Sequence, residues 1–149
     1  MPAPAADRVM LEYLGGGNEP CPVSTAPVAR ILPDGTFTPA FSVPAGKMLV
    51  LTDLEAIIRQ GAVPWTAGNA GVLTAFQNSP FPRPTLRALG PLTSEAVSAE
   101  MVSMAVHVQS GVVMGPNVTV CVSAGVIFPN GGGVADVVQA SLQGYLIAE

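Results

Sequence analysis

The sequence predicts an all-β protein, an antiparallel two-sheet sandwich of jelly-roll-like form with about eight or nine strands. Three observations carry that prediction. Fifteen Pro and sixteen Gly punctuate the chain every several residues, which leaves little room for long helices. Several segments alternate apolar and polar residues with a period of two, the pattern of a strand with one buried face. Turn chemistry recurs between those segments.

At 149 residues the chain has the length of one domain, enough to bury a core without metals or a dense disulfide framework. Residues 1–149 read as a single sandwich, with 1–27 as an N-terminal arm. Candidate strands run from Arg8 to Leu14, Val28 to Leu32, Thr36 to Val43, Lys47 to Arg59, Gly71 to Gln77 and Pro84 to Leu89. Pro33-Asp34-Gly35 has hairpin chemistry, with Pro presetting one dihedral and Gly accepting positive φ. Residues 44–47, PAGK, form a second predicted turn. NSPFPRP, residues 78–84, predicts an extended, polyproline-like loop. TSEAVSAEM, residues 93–101, opens as a helical turn capped by Thr93 or Ser94.

The C-terminal third alternates most clearly. From Met101 to Gln109, Val102, Met104, Val106 and Val108 share a face opposite Ser103, Ala105, His107 and Gln109. In the strand predicted from Asn117 to Phe128, Val118, Val120 and Val122 oppose Thr119, Cys121 and Ser123. PNGGG at 129–133 is a third turn. In the closing segment Val138, Ala140, Leu142 and Leu146 oppose Gln139, Ser141 and Gln143.

Only 11% of the residues are charged, against roughly 25% in an ordinary soluble domain, and none lies between Met101 and Ala135. The outward faces of those strands are therefore neutral. Depletion of charge marks the core of a contact surface. Ser103, Ala105, His107, Gln109, Thr119 and Ser123 become the candidate oligomer interface, and the expected partner is another copy of the chain. The six cations stand singly in a chain of net charge −4, so no basic stripe exists to neutralise phosphates, and nucleic acid is excluded as a partner. Gly111, Gly115, Pro116, Asn117, Gly125, Pro129 and Asn130 break the uncharged run into pieces far short of the about 20 apolar residues of a membrane helix, so no membrane insertion is expected. The opening MPAPAADRVMLEYLGGG lacks a cationic start followed by an apolar block and predicts no secretory signal. An extracellular surface or a virion-like particle fits the composition.

The chemistry available for catalysis is thin. A nucleophile needs a base beside it, and His107, the single histidine, lies in mid-strand between valines with no Gly-x-Ser-x-Gly turn in the chain. The sequence predicts no enzyme and no catalytic residue. Asp53 and Glu55, two apart on a strand, project from one face as solvated carboxylates or, completed by loop carbonyls, as a calcium site; no other cofactor is expected. SVPAGKM fails as a phosphate-binding loop, since Phe41 replaces the first Gly and Met48 stands where Ser or Thr should hold magnesium. Trp65, the single tryptophan, has small neighbours in GAVPWTAGNAG that leave its ring open to stack on a sugar. Together with Asn69, Asn78, Phe81 and Arg83 it supports a second reading, a carbohydrate-binding module that meets a glycan or surface receptor. NVT at 117–119 is a formal N-glycosylation sequon at the start of a strand. Cys21 and Cys121 match no metal spacing. They are either two reduced, partly buried thiols or a bridge tying an N-terminal arm to the sheet.

Gly144, Tyr145, Leu146 and Ile147, in the closing SLQGYLIAE, resemble the last strand of the tumour-necrosis-factor and complement C1q-like jelly rolls. FSVPAGKMLVLTD, residues 41–53, is similar to the strand-turn-strand segments of bacterial sandwich domains of this kind. The resemblance implies a compact trimer with its inner sheets facing the threefold axis, used for adhesion, surface display or recognition. The leading expectation is thus a non-enzymatic structural or interaction protein that self-associates within a surface, fibre or virion-like assembly.

Overall fold

A computed structural model describes residues 7–15, 17–78, 83–128 and 131–149, for 128 and 131–134 the backbone only. These residues form β1 (Arg8–Glu12), β2 (Ala26–Pro27), β3 (Ala29–Ile31), β4 (Phe37–Thr38), β5 (Lys47–Arg59), β6 (Ala70–Gln77), β7 (Thr85–Pro91), α1 (Ser94–Ala99), β8 (Met101–Met114), β9 (Val120–Phe128), β10 (Gly131–Val134) and β11 (Asp136–Ala148). One sheet runs β4-β3-β1-β11-β5-β8; the other runs β10-β9-β6-β7, with β2 added to β9. Every pairing is antiparallel. β1 pairs with β11, β2 with β9, β5 with β8 and β6 with β7, the nested order of one long hairpin rolled into a two-sheet sandwich. The all-β jelly-roll-like sandwich expected from period-two alternation is the fold of the chain.

The inward faces of both sheets meet in one core. Leu11, Leu49, Leu51, Leu54, Ile58, Leu73, Val120 and Leu142 are fully buried there. Val102 and Met104 of β8 point inward, while Ser103, Ala105 and His107 stand exposed, as alternation requires. The predicted turns form as their chemistry dictates. In the 33–35 turn Gly35 takes φ +87°, and the Asp34 carboxylate accepts from the Thr36 amide at 3.0 Å and hydroxyl at 2.6 Å. Gly46 takes φ +75° in the second turn, closed by Lys47 N–H donating to the Pro44 carbonyl at 3.2 Å. Thr93 caps α1 by accepting from the Ala96 amide at 3.2 Å.

Bulges account for two departures from the expected pattern. Between Val137 and Gln139 the ladder to β5 slips, so Val137 packs on the core and Val138, expected inside, is exposed. A second slip follows Gln143, where a Cβ on Gly144 would run into the Val50 carbonyl oxygen. On β8 the residues 108–111 bulge opposite Thr52, turning at Gly111 with φ +75°. This bulge lets β8 continue to Met114 and takes Gln109 out of register with Ser103, Ala105 and His107. The N-terminal segment is not an arm throughout: β1 lies inside the six-stranded sheet, between β3 and β11. The strand expected over 36–43 is reduced to β4 and a single bridge between Ser42 and Thr119. Residues 131–133, expected as part of a turn, belong to β10. Phe81 and most of the 78–84 loop lie outside the described residues.

Candidate functional site

The outer face of the six-stranded sheet carries the residues with functional chemistry. Antiparallel pairing sets Gln143, Asp53 and His107 in one row across β11, β5 and β8, and Ser141, Glu55 and Ala105 in the next. The His107 imidazole Nδ1 lies 2.7 Å from Asp53 Oδ1, and the Thr52 hydroxyl donates to Asp53 Oδ2 at 2.7 Å. The Thr52 hydrogen bond is the chief reason the Asp53 carboxyl sits below the usual carboxylate range. Desolvation opposes that effect, and the hydrogen bond and charge of His107 add to it. Beside this row, Glu55, Ile57, Ser103, Ala105 and Gln139 surround a shallow hollow of about 430 Å³.

Asp53 and Glu55 share a face as predicted, but in mid-ladder on a central strand. Strand neighbours flank each of them, and Asp53 is already held by His107 and Thr52, so the loop carbonyls required for a calcium site are not supplied. Among the described residues no three His, Cys, Asp or Glu side chains gather as a metal would need.

The second sheet departs from the expected interface. Thr119 and Ser123 are expected on a face offered to a neighbouring subunit, yet residues 18–25 and Ser42 of the same chain approach that face. Cys21 and Cys121 form a disulfide, with Cα atoms 6.0 Å apart, and both are buried against Phe76. The Thr119 hydroxyl is 3.0 Å from that of Ser42, and Ser123 lines a hollow with Asn18, Ser24 and Thr25. The covering segment is folded by turns of its own: Asn18 Nδ2 donates to the Cys21 carbonyl at 2.9 Å and Thr25 Oγ1 to the Pro22 carbonyl at 2.6 Å.

Two residues expected at a sugar site serve this latch. Asn78 Nδ2 donates to the Pro20 carbonyl at 3.0 Å, and the Arg83 guanidinium lies 5.2 Å from the Phe76 ring centroid. Trp65 is not an exposed platform: it is 5% accessible, packed in the core, with its backbone amide donating to Gln60 Oε1 at 3.0 Å. The Asn69 carbonyl accepts from the Leu92 amide at 2.9 Å at the same end of the sandwich. Trp65 and Asn69 precede β6 and Asn78 and Arg83 follow it, so eight residues of strand separate the pairs by roughly 25 Å. The expected glycan residues do not converge. The apolar environment of "VPW" and the Cys21 spacing to Cys121 held no sequence signal that distinguished burial from exposure.

Fold and geometry together define an all-β sandwich whose first sheet carries Asp53, Glu55, Arg59 and His107 among neutral residues on its outer face and whose second sheet is latched by a disulfide. Comparison with protein-family models, with curated proteins and with solved structures finds no match for this chain.

Proposed function

We propose that the chain is a non-enzymatic structural or interaction protein that self-associates through the outer face of its six-stranded sheet, as a building block of a surface, fibre or virion-like assembly. The observation that carries this reading is the β8-β5-β11 face, where the neutral Ser103, Ala105, Ile57, Gln139 and Ser141 surround Glu55, Asp53 is hydrogen-bonded to His107, and Arg59 lies 4.0 Å from Asp136. At ~3.3 Å per residue the 13 residues of β5 run ~43 Å, and three strands ~4.8 Å apart span ~14 Å. That product, ~600 Å² before side-chain relief is counted, approaches the ~800 Å² per partner of a standard interface. A trimer is the expected state, drawn from the resemblance of Gly144 to Ile147 to the last strand of trimeric jelly rolls. The nested strand pairing is compatible with it. A buried disulfide suits an oxidising compartment, which supports an extracellular setting.

Native mass by light scattering coupled to size exclusion tests the reading. The expected result is a trimer or larger species stable on dilution, and a shift toward monomer in Ala105→Glu, which would bury a charge beside Glu55. A monomeric wild-type chain, or an assembly indifferent to Ala105→Glu and Ser103→Glu, would overturn it. The glycan reading has lost its stacking platform with the burial of Trp65.

A further inference from the structure

The same sheet carries a second surface feature at its other end, away from β8. Between β1, β3 and the turn that follows lies a groove of about 550 Å³. Its floor is apolar: Met10 and Ile31 are directly paired across β1 and β3, and Leu32 and Pro33 continue the wall. Met10 is 42% exposed. Arg8 and Arg30 also line the groove, and Arg30 Nη2 donates to the Arg8 carbonyl at 3.3 Å. That places two of the chain's six cations at one concavity in a protein of net charge −4. The nearest acid of the turn, Asp34, has one carboxylate oxygen engaged by the Thr36 amide and hydroxyl.

An apolar concavity of this size with a few convergent polar groups is the usual form of a small-molecule site. Guanidinium is the side chain best suited to a carboxylate, because its planar donors match the two oxygens. We infer that this groove binds a small anionic amphiphile, a carboxylate on an aliphatic chain, with the chain along Met10, Ile31, Leu32 and Pro33 and the carboxylate at Arg8 and Arg30. The groove lies mainly on β1, β3 and the following turn, and it borders the proposed self-association face at Gln143 and Gly144 of β11.

Isothermal titration of the full chain with dodecanoate, below its micelle threshold, tests this, with dodecanol and dodecylamine as the neutral and cationic counterparts. The expected result is saturable binding at one site per chain, at least about tenfold tighter for dodecanoate than for either counterpart. Arg8→Gln should weaken dodecanoate about tenfold, and Met10→Glu, which sets a carboxylate on the floor, should weaken it further. Circular dichroism establishes that both variants keep the fold; Arg8 rather than Arg30 is replaced because only Arg30 makes a side-chain hydrogen bond to the neighbouring strand. No saturable binding of dodecanoate overturns the assignment. Equal binding of dodecylamine, or unchanged affinity in folded Arg8→Gln and Met10→Glu proteins, overturns it as well.

Discussion

Removing the Cys21–Cys121 bridge should be the most damaging two-site change in this protein, and its size follows from the position of the cysteines. They are 100 residues apart, so the bridge closes most of the chain into one loop. In the chain-entropy treatment a closed loop of that length restricts the unfolded state by ~4.7 kcal/mol at 25 °C. For a domain of about 150 residues each kcal/mol moves the melting midpoint by about 2–4 °C. The Cys21→Ala, Cys121→Ala protein should thus melt roughly 10–20 °C lower than the oxidised wild type. Native-state contacts add a local consequence. The segment from Asn18 to Pro27 reaches the sheet through β2, which is two residues long, and through the Asn78 bond to Pro20. Without the disulfide it should open before the sandwich does, and limited proteolysis should cut it first. The assay is thermal and guanidinium unfolding of the two proteins, with free thiols titrated in the folded wild type. Unchanged midpoints, or two reactive thiols per native chain, would refute the reasoning, because either result removes the loop constraint on which the magnitude rests.

Other positions carry smaller effects. Gly144→Ala should cost about 1–3 kcal/mol in urea unfolding, because its Cβ meets a backbone carbonyl that cannot swing aside; a neutral result would mean that the bulge after Gln143 relaxes freely. Trp65→Ala should destabilise by about 3–5 kcal/mol, and wild-type tryptophan emission should be blue-shifted and poorly quenched by acrylamide. Strong quenching would place the ring at the surface. Asp53 has a folded-state pKa below its unfolded value, so its contribution is present above the unfolded pKa and fades as pH falls through the folded one. Asp53→Asn should therefore cost no more than about 1 kcal/mol at pH 7, given its exposure, and progressively less below about pH 4. Equal cost at pH 7 and pH 3 would show that charge is not the source.

The sequence by itself determined the class of fold, most of the strands and which side chains of each strand face inward. Period-two alternation is a local signal, and burial on one face of a sheet is enough to enforce it; Lys47 to Arg59 appears in the structure with the predicted bounds for that reason. Turns at Pro33-Asp34-Gly35 and at residues 44–47 were equally legible, since φ preferences belong to single residues. Tertiary structure decided what depends on partners distant in sequence. The slips at Val138 and beside Gln109 arise because one strand must match another's register, which neither sequence shows alone. The fate of Trp65 depended on whether its loop folds over the open end of the sandwich, and small neighbours fit a buried ring as well as an exposed one. Cys121 alternates correctly to the outer face of β9, and Cys21, brought back over that face, buries it together with Phe76. The pairing of Asp53 with His107, 54 positions apart, likewise required the register of β5 on β8. Alternation tells which side of a sheet a residue occupies; what lies over that side is settled by the path of the rest of the chain.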